Sequence, residues 1–122
     1  MMNDKQTTVS ELKEKNSAFV KSRGWNGGGE NAKDLVIALA VEAAELMEIF
    51  TWLHSNDADS VKDNPREFEH LGEEIADVFL YLIRICEHFD IDLSQAVEDK
   101  MAKNAIKYPV NYRELQGGTE TK

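Results

Sequence analysis

Two segments of this chain have apolar side chains at helical spacing, yet set acids on the faces that should be buried. They are VEAAELMEIF, residues 41–50, and EEIADVFLYL, residues 73–82. Residues three, four, seven and eleven apart share one face of a helix. That spacing groups Glu42 with Leu35, Leu39, Leu46, Ile49 and Leu53, and it groups Glu74 with Leu71, Val78 and Tyr81. Glu45 and Asp77 each follow three residues later on the margin of the same stripes. Packing the two helices together therefore converges two pairs of carboxylates. Each buried charge costs several kcal/mol, as a rough estimate, unless it is compensated.

Basic partners are scarce, because the two predicted helices contain only Lys33, Arg66 and Arg84, all near their ends. Shared protons could remove part of the charge. Hard divalent cations fit best, since oxygen-only sites of Asp and Glu suit Mg²⁺ and leave positions for water and phosphate. A bundle di-iron site needs Glu-x-x-His on two helices. The chain has one such pattern, Glu67 to His70, and neither His54 nor His88 supplies a second. The histidines are accordingly read as surface or helix-end residues, and Glu48 as surface.

The periodicity predicts an all-α fold of four helices, bundle-type, with no convincing strand alternation. The first spans about Thr8–Arg23 and the second about Asn31–Ser55. A polar loop, Asn56–Pro65, leads to a third helix over about Arg66–His88, with Asn64 as cap and Pro65 in the first helical position. The fourth starts after Asp92 and stops before Tyr108-Pro109. Residues 1–110 are expected to form one domain, and 111–122 a partly disordered tail. Helix three is apolar over a broad arc (Phe68, Leu71, Ile75, Val78, Phe79, Leu82, Ile83, Ile85), which predicts burial on two sides, by a further subunit in preference to the alternative of a larger core within one chain.

A lone cysteine, Cys86, excludes an internal disulfide. No run is long enough to span a membrane and the start lacks a signal-peptide core, so a soluble cytoplasmic protein is expected. The net charge of −9 argues against a nucleic-acid polymer as partner, though not against a small polyphosphate whose charge is met by bound cations.

Three motifs in order carry a family resemblance: AKDLVIALAVEAAELMEIFTW, GEEIADVFLYL and KMAKNAIKYP. Over roughly Ser17–Pro109 the chain resembles the MazG-like nucleotide pyrophosphohydrolases, most of all the short single-domain branch that includes the dCTP pyrophosphatases. The family's first motif is E-E-x-x-E. Val41 stands at its leading position here, leaving Glu42 and Glu45, while E-x-x-D is intact as Glu74 to Asp77.

The resemblance implies bundles that share helices across a dimer interface, as a dimer or a dimer of dimers. It implies Mg²⁺-dependent hydrolysis of a nucleoside triphosphate to monophosphate and diphosphate, with Mn²⁺ able to substitute. The implied metal ligands are Glu42, Glu45, Glu74 and Asp77, with Glu45 also the candidate for taking a proton from the attacking water. Trp25, Trp52 and Tyr81 would hold the base. Lys100, Asn104, Lys107 and Tyr108 would close over the substrate, and Lys33 would face the pocket entrance. The glycines at 27 to 29 lack the following Gly-Lys-Ser/Thr of a phosphate loop and read as a mobile link. The expected substrate is dCTP or a modified pyrimidine triphosphate, in nucleotide-pool house-cleaning. Two alternatives stand beside it: a non-catalytic helical interaction module, and a dUTPase-like hydrolase on a related bundle.

Overall fold

The structure, a computed structural model, describes residues 1–25 and 31–116, and among these every regular element is helical. The helices are α1 (Val9–Ser22), α2 (Ala32–Glu48), α3 (Pro65–Phe89), α4 (Leu93–Lys107) and α5 (Tyr112–Leu115), with a 3₁₀ segment at Ser55–Asp63. None is long and apolar enough to cross a membrane. The chain divides into two compact units, Met1–Asp90 and Ile91–Lys122.

Local chemistry sets the helix ends. Thr8 and Glu11 form a reciprocal capping box at the start of α1: Thr8 Oγ1 accepts from the Glu11 amide (3.1 Å), and Glu11 Oε1 accepts from the Thr8 amide (2.7 Å). At the other end Gly24 takes a left-handed φ of 72°. This lets the Trp25 amide reach back to the Val20 carbonyl (3.1 Å) and the Gly24 amide to Lys21 (3.0 Å), a Schellman ending. Asn64 caps α3 through the Arg66 and Glu67 amides, with Pro65 next, as the sequence predicts. Asp90 stops α3 in the left-handed region, which Asp tolerates better than most residues, and Asp92 caps α4 through the Gln95 amide.

Two boundaries differ from expectation. Helix α2 ends at Glu48 rather than near Ser55. Its bonding tightens there to three-residue turns, Phe50 to Met47 (2.9 Å) and Thr51 to Glu48 (3.2 Å), while the Thr51 hydroxyl takes up the Met47 carbonyl (3.2 Å). The polar loop expected after it is the 3₁₀ segment, anchored by buried Val61. In the second unit, residues 112–115 of the expected tail form a helical turn, the Tyr112 amide bonded to Pro109 (2.8 Å) and its ring edge-on to Tyr108.

In the first unit α3 packs against α2, α1 and the 3₁₀ segment. Leu35 shares a cavity with Ile83, Glu45 with Glu74, and Phe50 with Phe68 and Leu71. Numbers rise along α2 as they fall along α3, so the two helices run antiparallel. The core comprises Val20, Leu35, Val61, Ile83 and Cys86, and among the described residues Glu74 is the charged side chain buried with them.

Candidate metal centre

The antiparallel pair places Glu42 and Glu45 opposite Glu74. One carboxylate oxygen from each of the three lies within 4.8 Å of the other two. Glu42 Oε1 and Glu74 Oε1 are out of solvent with no hydrogen-bond partner. The second Glu74 oxygen, Oε2, lies 3.2 Å from His70 Nε2, one turn earlier on α3. Two unit charges about 4 Å apart repel by roughly 4 kcal/mol at an effective dielectric constant near 20. The carboxyl of Glu42 shows the strain: desolvation above all, then the charges of Glu45, Asp77 and Glu74, raise its pKa above the ordinary value. Either a proton on Glu42 or a cation among the three relieves it.

The donor set fits a hard divalent cation. It is all oxygen, it is anionic, and two of its oxygens lack any partner in the protein. Asp77 is not in the tight trio, but its charge acts on Glu42 and it lines the same cavity.

The acids face two openings. One is a cavity of about 550 Å³ walled by Leu12, Phe19, Trp25, Leu80 and Tyr81, with Lys15, Glu42 and Asp77 also in its lining. Trp25 is set there by the Schellman turn and by an edge-on contact with Phe19 (ring centroids 5.7 Å apart). Arg84, whose guanidinium lies 5.3 Å from the Tyr81 ring, lines the cavity too, as does Asn16. The other is a polar cleft of about 500 Å³ lined by Glu45, Glu48, Ile49, Trp52, Glu67, His70 and Glu74.

The sequence-derived candidates thus separate. Glu42, Asp77, Trp25 and Tyr81 share the apolar cavity, while Glu45, Glu74 and Trp52 share the cleft. Trp52 lies beyond the end of α2, and the turns that follow the helix bring it to the cleft. Lys33 is exposed in the first turn of α2 and lines neither opening. In the second unit Lys100, Asn104 and Lys107 lie on α4 with Tyr108 as its C-cap. The Tyr108 amide donates to Asn104 (2.7 Å), and Lys107 Nζ sits 5.3 Å from the Tyr108 ring. The glycines at 27 to 29 lie outside the described residues.

His70 and Glu48 are exposed, as expected, and both line the cleft. The four-residue step from His70 to Glu74 and the three-residue step from Glu45 to Glu48 are spacings that place side chains together on a helix.

The model of the MazG-like family matches residues 37–117. The dCTP pyrophosphatase 1 of Mus musculus is 30% identical to this chain over 93% of its length, and the chain covers 71% of the mouse protein. The Bos taurus dCTP pyrophosphatase 1 is 31% identical over 87% of the chain, which spans 62% of the bovine protein. A crystal structure of a pyrophosphatase from Archaeoglobus fulgidus superposes with a TM-score of 0.74 at 35% identity, covering 89% of this chain and 99% of that one.

Proposed function

Because the chain belongs to the MazG-like family and is a nucleotide pyrophosphohydrolase, we propose that it converts a deoxynucleoside triphosphate and water to the monophosphate and diphosphate, in a Mg²⁺-dependent reaction. The observation that carries this reading is the convergence of Glu42, Glu45 and Glu74 with two buried oxygens left unpartnered. A module that only bound a partner would gain nothing from holding three acids together at that cost. The pyrimidine-specific names of the mammalian relatives support dCTP or a modified pyrimidine triphosphate as substrate, and a role in clearing or balancing the nucleotide pool of the cytoplasm.

In this reading Glu42, Glu45, Glu74 and Asp77 hold the cation, Mg²⁺ or in its place Mn²⁺. When bound it would offset the charge of the triphosphate and lower the pKa of the attacking water. Glu45, on the cleft side, takes the proton of that water. Trp25 and Tyr81 form the aromatic wall on which a base stacks, in a cavity that Glu42 and Asp77 also line. Trp52 borders the opposite cleft. Lys100, Asn104, Lys107 and Tyr108, on the second unit, are the candidates this reading keeps for contacts to the phosphates and sugar. A second copy of the chain covers the apolar face of α3, giving a dimer or a dimer of dimers.

The test is a panel of ordinary and modified deoxynucleoside triphosphates with Mg²⁺, Mn²⁺ or EDTA, with products separated by chromatography. The expected products are monophosphate and diphosphate, formed fastest from cytosine nucleotides and not at all in EDTA. Nucleoside diphosphate plus phosphate, or no turnover of any nucleotide, would refute the reading.

A further inference from the structure

His70 is a polar side chain hydrogen-bonded to the acid cluster to which the reading above gives no role. It stands one helical turn before Glu74 on α3 and presents Nε2 to Glu74 Oε2 at 3.2 Å. The two side chains are very differently placed, His70 being 48% exposed and Glu74 only 11%. An imidazole that open to solvent contributes little by packing. What it does contribute is direction.

The last torsion of a glutamate is broad and roughly two-fold, so an untethered carboxylate samples many orientations. Fastening Oε2 to the ring nitrogen removes that freedom and leaves Oε1 as the oxygen available to the cluster. Oε1 is the atom found buried without a partner. Glu42 Oε1 is in the same condition across the helix pair. The hydrogen bond and the two orphaned oxygens are therefore parts of one arrangement: His70 holds one end of the carboxylate and the other end is kept for a ligand.

We propose that His70 is a positioning residue that orients Glu74 for cation binding from within the cleft it shares with Glu45 and Trp52. This rests on the reading of Glu42, Glu45 and Glu74 as ligands. It adds to that site a residue that touches neither cation nor substrate and acts through Glu74 alone. Partners that orient a ligand typically change metal affinity by about 10- to 100-fold when removed.

The experiment compares wild type, His70→Ala and His70→Gln by calorimetric titration with Mn²⁺ in the absence of nucleotide. Melting temperature in EDTA and kcat against metal concentration are measured alongside, at one fixed pH. His70→Ala should bind Mn²⁺ about 10- to 100-fold more weakly. It should need correspondingly more metal for half-maximal activity, recover most of kcat at saturating metal, and melt as wild type does in EDTA. His70→Gln, whose amide can still donate to Glu74, should restore most of the affinity. Unchanged affinity in His70→Ala overturns the proposal. So does loss of the fold in EDTA, which would make the imidazole a structural group. Nitrogen hyperfine coupling to bound Mn²⁺ in wild type would overturn it too, by making His70 a ligand. Failure of the wild-type protein to bind Mn²⁺ would remove the metal centre itself and the His70 role with it, an outcome distinct from the other three.

Discussion

Glu42 bears most of the cost of the acid cluster when no cation is there to share it. Its raised pKa means that the folded protein holds that proton more tightly than the unfolded chain does. The resulting stability is present in full below the unfolded value, near 4.5, and is lost as pH rises through the folded value. Metal-free protein should therefore melt at progressively lower temperature as pH climbs out of the acid range. Added Mg²⁺ or Mn²⁺, which bind the ionised carboxylates, should reverse the loss and do so more strongly at higher pH. Glu42→Gln is neutral throughout, so its melting temperature in EDTA should lose this slope and equal or exceed that of wild type at neutral pH, while turnover is abolished. Melting curves in EDTA across pH check the first part. A Glu42→Gln variant that kept the wild-type slope would assign the loss to another group, and one that kept full activity would remove Glu42 from the site. The acids were legible in the sequence because burial and helical period together leave an acid on an apolar face nowhere to hide. His70 was not, since a search for metal-ligand patterns asks which side chains bind an ion and passes over the one that turns a ligand.

At the scale of elements, capping residues were the readable signals: Asn64 with Pro65, and Asp92, begin α3 and α4 where expected. The end of α2 was not readable from apolar spacing. Leu46, Ile49 and Leu53 continue the period, but the bonding has already shortened to three-residue turns and the Thr51 hydroxyl is bonded to Met47. Backbone hydrogen-bond competition of this kind leaves no trace in hydrophobicity. The α1 ending matters more for function, because it places an aromatic wall of the apolar cavity. Gly24 has room for a side chain, with nothing within 4 Å of an added Cβ, but its φ of 72° is one that other residues adopt at a cost. Gly24→Ala should destabilise the protein by about 1–2 kcal/mol, a purely backbone effect. Relaxation of the turn would release the Trp25 amide from Val20 and shift the indole from its seat beside Phe19. KM for the nucleotide should then rise more than kcat falls, with metal affinity unchanged, since the acids sit on α2 and α3. Steady-state kinetics and a metal titration on the same preparation separate the two. Equal loss of kcat and kcat/KM would place Trp25 in the chemical step instead of in base binding.

On the scale of the whole molecule, the described residues leave too much apolar surface outside for a chain of this size to keep to itself. Phe68, Ile75, Leu82 and Phe89 are 55%, 51%, 39% and 55% exposed, and they recur every seven residues along one side of α3. A seven-residue repeat holds one face of a helix toward a partner over several turns. On α2, Val36, Ile37, Val41 and Met47 are half or more exposed as well. Monomers rarely leave large apolar patches uncovered, and the expected occupant of this stripe is a second copy of the chain. The breadth of the apolar arc in helix three had pointed the same way from sequence alone. Each copy carries a net charge of −9, so association sets burial of the stripe against mutual repulsion. Salt screens the second term and leaves the first almost untouched. Self-association should thus strengthen as salt rises from low to physiological levels, the reverse of an interface held by ion pairs. Leu82→Glu with Phe89→Glu, five and twelve residues beyond Asp77 on α3, should shift the protein to monomer. The pair should also lower its melting temperature and make the residual value independent of protein concentration. Sedimentation velocity at two salt concentrations, run on wild type and the double variant, tests both statements. A wild-type protein that sediments as a monomer at micromolar concentration in either salt would leave the stripe without its second copy.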